Sequence, residues 1–465
     1  MKWLNNITLE ILQGHVGYVH QFVKMLIPKG ILTLIVLCLV KCAALQPSSS
    51  RHLVVLVHGL MGSARDLEYL AQRLEERGSV VVLQSSANQY AQSLAGIKQA
   101  AQRLVEEIHE VCLKNPQLDR VSFVGNSLGG LFARYAIKLL SIPVEERSKG
   151  DPNAEFFLST ETGIDLGIKL YPEKFMTIAS PYLGVLDHNY LQDLAQRYLN
   201  NDKLWFPDWM KRLVGKSLLR SGTELFMLDE YRKGGGGSPR NTLVYRMCTE
   251  EMWLWPLRKF KKRRLYANLD ADFVVPLSTA AFLERHEVKA LRNQHTYHSS
   301  QTEMEVINEN LEGVELGADG GSEGKKRDKS VGRLVHEIVS SERADGTLEH
   351  RWTNLEQAQQ TQANGASNEM AMSTTRTHTT VTNSCEATES DAYSPREDLY
   401  CFMRERLNSL GWEKYVVHFD GMLASNHNKL AAVRRNPQWF FDGVLGFHAG
   451  APIMDHACDY LTKDA

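Results

Sequence analysis

The sequence predicts an α/β fold, a mostly parallel central sheet with helices on both faces, and three features predict it. From Leu53 to about Leu140, short apolar runs alternate with amphipathic stretches, the mark of βαβ units. A glycine-flanked serine, Gly125-Asn126-Ser127-Leu128-Gly129, stands between an apolar run and a helical stripe. Apolar periodicity lapses over a long polar stretch and then returns near the C-terminus. At 465 residues and 43% hydrophobic, the chain can bury one large core. A formal net charge of -2 creates no global field that would attract nucleic acid, so no nucleic-acid partner is expected. The seven cysteines are scattered and include no CxxC pair. A reducing, intracellular compartment follows as the default, and neither a metal nor a redox cofactor is expected.

Taken in order, residues 1–50 contain one apolar block, Ile31 to Val40, with Lys24 and Lys29 before it and Lys41 after it. The block is short of the ~20 residues a spanning helix needs. It reads as a membrane anchor or signal-like stretch, with a helix buried against the domain as the alternative; membrane association is expected, and a cytoplasmic location is the runner-up.

Leu53-Val54-Val55-Leu56-Val57 reads as a buried strand. Leu67, Leu70, Ala71 and Leu74 share a helical face, with Ser63 placed to cap its start and Gly78 to stop it. Val80 to Leu83 is the next strand. Ile97, Ala101, Leu104, Ile108 and Cys112 form a second stripe that Asn115-Pro116 ends, and Val121 to Val124 follows as a strand. Later strands are Phe175 to Ala179 and Leu265 to Asn268, which completes the main part of the domain, 51–301. Over 302–398 the composition shifts to Glu, Gln, Ser, Thr, Asn and Gly, too poor in apolar residues to offset the entropy of ordering. A disordered insertion is expected there. The C-terminal part of the domain, 399–465, resumes with Leu399, Phe402, Leu407, Trp412 and the run Tyr415 to Phe419. Two tryptophan-rich stretches, Leu204 to Met210 and Met252 to Leu257, read equally as an interfacial pad or as core. The basic run Arg258 to Arg264 reads as a solvated approach to the next strand, with an anionic lipid surface as the alternative.

Placed between strand and helix, the G-x-S-x-G is a nucleophile elbow, the tight strained turn of an α/β-hydrolase fold, with Ser127 as nucleophile. Serine needs a base to take its proton and an acid to hold that base, in the chain order Ser, acid, His. Asp270 and Asp272 both follow the strand ending at Asn268. His418, His427, His448 and His456 follow the last strand, and His427, in a polar loop just beyond it, is the best placed. The oxyanion of an ester intermediate needs backbone donors. Leu128 offers one, and Leu60 and Met61 in the turn His58-Gly59-Leu60-Met61-Gly62 offer the other, His58 itself suiting a structural hydrogen bond.

The segments VLVHGLMGSARDLEYL, SFVGNSLGGLFARYAI, FMTIASPYLGV, SGTELFMLDE and FKKRRLYANLDADFVVPLSTAAF, in this order, resemble the eukaryotic serine esterase family of lipase-like α/β-hydrolases. That family includes the yeast lipid-droplet phospholipase and plant lipase-like proteins. The resemblance covers Leu53 to Phe282 and a shorter C-terminal stretch. It implies Ser127 as nucleophile, Asp272 as acid and His427, in the patch Ala424 to Asn428, as base. It further implies a lipid ester as substrate, a membrane or lipid-droplet surface as the place of work, and no cofactor. The chain departs from the family at Asn126, where histidine is usual, and in the length of Ser141 to Leu170. A catalytically silent scaffold and an acyltransferase using the same triad are the alternatives.

Overall fold

The strand expected at Leu53 is the pivot of the sheet. β1 (His52–Val57) is buried along its whole length, pairing in parallel with β2 (Val81–Gln84) on one side and β3 (Arg120–Asn126) on the other. The computed structural model describes residues 50–141, 157–159, 165–185, 213, 215–229, 238–270, 272, 274–295, 332–342, 348–355, 378–382, 397–419, 426–433 and 447–463. The apolar block 31–40 and the tryptophan-rich stretch 204–210 lie outside these residues.

Beyond β3 come β6 (Tyr171–Ile178), β7 (Lys262–Asn268) and β11 (Trp412–His418), all parallel to their neighbours. A small hairpin, β4 (Phe157–Ser159) with β5 (Asp165–Lys169), precedes β6 in the extra-long segment noted above. Past β11 the sheet turns antiparallel through β8 (Arg333–Glu342), β9 (Leu348–Asn354) and β10 (His378–Thr382). The nine-stranded order is β10-β9-β8-β11-β7-β6-β3-β1-β2. These three strands lie within 302–398, where the composition predicts a disordered insertion, while most of that segment lies outside the described residues. Composition judged the segment too polar to form its own core, yet β8 needs none: its Val335 and Ile338 are buried beside β11 in the existing core.

The helices form where the apolar stripes fall. α1 (Glu68–Arg77) buries Leu70, Ala71 and Leu74 and ends on Gly78 at φ 64°, a left-handed stop that glycine adopts without a Cβ penalty. Ser63 heads the turn before it, its N-H donating to Asp66. α2 (Ile97–Lys114) buries the whole expected stripe and ends at Asn115; burial of Ile97, Leu104 and Ile108 contributes about 1.5–3 kcal/mol each. α3 (Gly129–Leu140), α4 (Leu219–Leu225), α5 (Leu243–Thr249), α6 (Glu251–Arg258), α7 (Glu397–Asn408), α8 (Asn426–Leu430) and α9 (Ala451–Thr462) follow along the chain. α2, α3, α5, α6 and α7 pack on one face of the sheet, α1 and α9 on the other.

Three local expectations resolve toward structure. Trp253 is buried edge-on against Tyr135 of α3, ring centroids 4.8 Å apart, so the second tryptophan stretch is core. In the basic run, Lys261 pairs with Glu173 at 2.7 Å, Arg264 with Glu413 at 2.9 Å, and Arg263 donates to the carbonyls of Phe260 and Gly411. Arg263 and Arg264 are thus committed to partners within the fold, while Lys261 and Lys262 remain solvent-exposed, as a solvated approach to the strand implies. Cys112, Cys248 and Cys458 are buried free thiols, whereas Cys401 is disulfide-bonded, which the expectation of a reducing compartment does not accommodate.

Lys414 is a cation that no pattern announced. It lies fully buried on β11, its Nζ donating to Asn408 Oδ1 at 2.6 Å and lying 4.2 Å from the centre of the Phe282 ring. Burial pushes its pKa down to about 7, only partly opposed by Glu287. Glu287 is itself engaged with His350 at 3.0 Å. Because the folded pKa lies below the unfolded one, the unfolded chain holds more protons from about pH 7 to pH 10, and this group's contribution to stability rises with pH across that window. Lys414→Met should flatten the rise, by up to about 1.4 kcal/mol per pH unit for one proton. Denaturation midpoints of both proteins from pH 7 to pH 9 check it.

Candidate active site

The site is assembled at the carboxyl ends of the parallel strands, where the order reverses: β2 lies on one side of β1 and β3 on the other. The loop after β1 and the turn after β3 therefore flank one crevice. Ser127 follows β3 with φ 54°, a left-handed conformation that a non-glycine residue adopts only under constraint. The constraints are visible. Ser127 N-H donates to Ile178 O at 2.8 Å, and its carbonyl accepts from Ser180 Oγ at 2.8 Å. A Cβ on Gly125 would sit 2.4 Å from Gly130 Cα, and one on Gly129 only 2.2 Å from Val57 O. The elbow therefore admits nothing larger than glycine at either position.

The acid follows β7 and the histidine follows β11, two strands that run side by side, with Leu269 N-H donating to Val417 O at 2.8 Å. That pairing brings His427, at the start of α8, to Asp272: His427 Nδ1 lies 3.0 Å from Asp272 Oδ2 across 155 positions of sequence. Asp272 Oδ1 accepts from the N-H groups of Val274 and Val275, at 3.0 and 2.8 Å, and Oδ2 also accepts from Asn268 Nδ2 at 2.7 Å. Burial, the largest single influence, pushes this carboxyl's pKa up, but His427, Val275 and Asn268 together hold it below the usual range. It is an anion in the folded protein. Asp270, the other carboxylate the spacing allowed, is engaged with Arg292 at 3.0 Å.

Of the other histidines, His418 stands against the His295 ring, its centroid 4.1 Å away, and His456 receives the Tyr266 hydroxyl at 2.9 Å with its pKa lowered to about 4, chiefly by burial. His448 lies in a short helical turn, Phe447–Gly450. None of these three is paired with Asp272 among the described residues.

His58 is buried with Nδ1 donating to Gly59 O at 3.0 Å, the structural role expected of it. Met61 corrects the set of oxyanion donors. Its N-H donates to Ser93 Oγ at 2.8 Å and is not free to meet a substrate. Leu60 and Leu128 remain as the candidate pair. Residue patterns gave no role to Asn268 and Asn426, although both stand within the segments that carry the resemblance. Asn268 bridges Asp272 and the Asn426 carbonyl, and Asn426 Nδ2 donates to Asp270 O at 3.2 Å, so the acid loop and the histidine helix are tied together.

The family model described as "Putative serine esterase (DUF676)" matches residues 47–283. The chain belongs to that family. Among its relatives, "Putative lipase ROG1" of Saccharomyces cerevisiae is 28% identical over 244 residues, which is 51% of this chain and 29% of the relative. "Putative lipase C4A8.10" of Schizosaccharomyces pombe is 25% identical over 244 residues, 50% of this chain and 26% of the relative. The chain thus spans less than a third of the length of these curated relatives. Among solved structures, a lipase of Bacillus licheniformis, BlEst2, is similar at 16% identity and TM-score 0.24 over 49% of this chain and 69% of that one. Phospholipase PlaB of Legionella pneumophila is similar at 11% identity and TM-score 0.27 over 49% and 43%. The fold assignment itself is carried by the strand order and the elbow described above.

Proposed function

We propose that this member of the serine esterase family is a carboxylic-ester hydrolase acting on acyl esters of glycerolipids or phospholipids, with Ser127 as nucleophile, His427 as base and Asp272 as the acid that orients the base. The observation that carries the reading is the 3.0 Å Asp272–His427 hydrogen bond, formed across 155 positions at the same end of the sheet as the strained Ser127. With Nδ1 held as donor by an anionic carboxylate, the other ring nitrogen is left as acceptor for the serine proton. Ser127 Oγ gives its proton to His427 and adds to the ester carbonyl carbon. The oxyanion takes hydrogen bonds from the Leu60 and Leu128 N-H groups. The C-O bond to the alcohol then breaks as His427 returns the proton to the leaving oxygen, and water repeats the sequence to release the acid. No metal or organic cofactor takes part.

The lipid nature of the ester draws on the relatives named as lipases. Among the described residues no helix is long and apolar enough to cross a membrane. Work at a membrane or lipid-droplet surface is therefore assigned to the apolar block 31–40, as part of the proposal. The test is incubation of the purified full chain with a fluorophosphonate probe, and in parallel with triacylglycerol emulsions and phospholipid vesicles. Labelling together with release of free fatty acid is expected. A folded protein that neither labels nor releases fatty acid overturns the reading.

A further inference from the structure

The Met61–Ser93 hydrogen bond belongs to a chain of contacts that leads from the turn after β1 to α4, a segment distant in sequence, and the proposed reaction does not use it. Met61 has φ 52° and Tyr90 φ 50°, both left-handed and both large side chains exposed to solvent. Neither conformation persists unless neighbouring structure holds it. Here two hydrogen bonds do so, one in each direction. Met61 N-H donates to Ser93 Oγ at 2.8 Å, and Tyr90 N-H donates to Gly62 O at 2.9 Å. The short helical strap Tyr90–Leu94 is thereby stitched to the turn that carries Leu60.

The strap is in turn fixed from behind. Ser93 is fully buried, and its hydroxyl donates to Tyr90 O at 2.6 Å, which leaves the oxygen lone pairs for Met61. Ser93 O accepts from Ser221 Oγ at 2.6 Å, and Ser221 Oγ accepts from Gly96 N-H at 3.0 Å. One turn along α4, the Glu224 carboxylate accepts from Ile97 N-H at 2.6 Å, at the N-terminus of α2 where an anion is favoured. Arg103 of α2 clasps the strap from the other side, donating to Gln92 O at 2.8 Å and Asn88 Oδ1 at 2.9 Å. The Ser-Gly-Thr-Glu segment thus supplies two buried side chains, Ser221 and Glu224, that hydrogen-bond to the strap and the start of α2, Glu224 also accepting from Arg220 at 3.1 Å.

We infer that Ser93 is a positioning residue for the oxyanion loop: by taking the Met61 N-H it fixes the turn in the one conformation that leaves the Leu60 N-H for the developing oxyanion, with Ser221 and Glu224 anchoring Ser93. The inference rests on the serine-hydrolase reading of Ser127. The role is felt only when charge develops on the carbonyl oxygen, so it acts on the transition state and not on binding of the ester.

The experiment measures steady-state hydrolysis of a soluble short-chain p-nitrophenyl ester by the full chain and by Ser93→Ala, Ser93→Cys and Ser127→Ala. Inhibition by a trifluoromethyl ketone, which forms a tetrahedral oxyanion on the nucleophile, is measured beside it. Ser93→Cys keeps the buried volume and loses the strong acceptor, so it decides the matter if Ser93→Ala does not fold. Expected is a fall in kcat of roughly 10- to 100-fold with KM within about twofold, and ketone inhibition weakened by the same factor as kcat/KM. Loss of folded protein alone would lower the active fraction but leave the ketone affinity of the remainder unchanged. A folded Ser93 variant with wild-type kcat and ketone affinity, beside an inactive Ser127→Ala, overturns this inference and spares the serine-hydrolase reading. Equal hydrolysis by the wild type and Ser127→Ala overturns both.

Discussion

Replacing Ser127 with alanine is expected to lower kcat for an acyl ester by at least about 10⁴-fold and to abolish fluorophosphonate labelling. The change removes the only atom that forms the covalent bond, while the turn that holds it is built from backbone and glycine contacts that alanine leaves in place. Ser127 N-H to Ile178 O and Ser180 Oγ to Ser127 O both survive the substitution. Folding should therefore be preserved, and a thermal midpoint close to wild type separates loss of chemistry from loss of structure. Retained ester hydrolysis by the alanine variant would remove Ser127 from the mechanism.

Asp272→Asn should cost about as much, on the order of 10⁴-fold in kcat, for a reason legible in the hydrogen bonds. Val274 and Val275 donate to one carboxylate oxygen, and Asn268 and His427 lie against the other. Four donors converge on two oxygens. An amide must turn its NH2 toward one of the two pairs, so either the imidazole loses its acceptor or the loop loses two backbone bonds. In the first case His427 is released to the wrong tautomer or orientation, and the base no longer accepts from Ser127. The same substitution has a pH signature. The folded-state pKa of Asp272 is held below its ordinary value, so its ionised form contributes stability above the usual carboxylate range and that contribution is lost as pH falls through the folded value. Asn at 272 should flatten that part of the acid limb in denaturation midpoints taken below neutral pH. A variant with wild-type kcat would show that another residue orients the base.

The two proposals about the site have different reach. The Ser127–Asp272–His427 arrangement states what reacts, whereas the Ser93 strap states what keeps the turn after β1 in shape while it does so. Both depend on elements far apart in sequence meeting at the carboxyl ends of parallel strands. β11 lies between β7 and β8, and this places His427 beside Asp272 although the segment containing β8, β9 and β10 intervenes in the chain.

The features legible along the chain are those whose physics is local. A strand buried on both faces, helical stripes such as Ile97 to Cys112, the stop at Gly78 and the serine elbow each depend on residues a few positions apart. Period, cap and steric room for the elbow are fixed at that range. Which partner each candidate meets depends on packing between segments far apart in the chain. From spacing alone, Asp270 and Asp272 were equivalent; packing gave Arg292 to the first and His427 to the second. Residue pattern leaves Met61 a free donor, but Ser93, on a strap with no pattern of its own, holds its N-H. Trp253 could have faced lipid until Tyr135 was found against it. The strands within 302–398 were hidden because a strand that joins an existing sheet borrows its hydrogen-bond partners and its core from residues distant in the chain, and its own composition need not announce it.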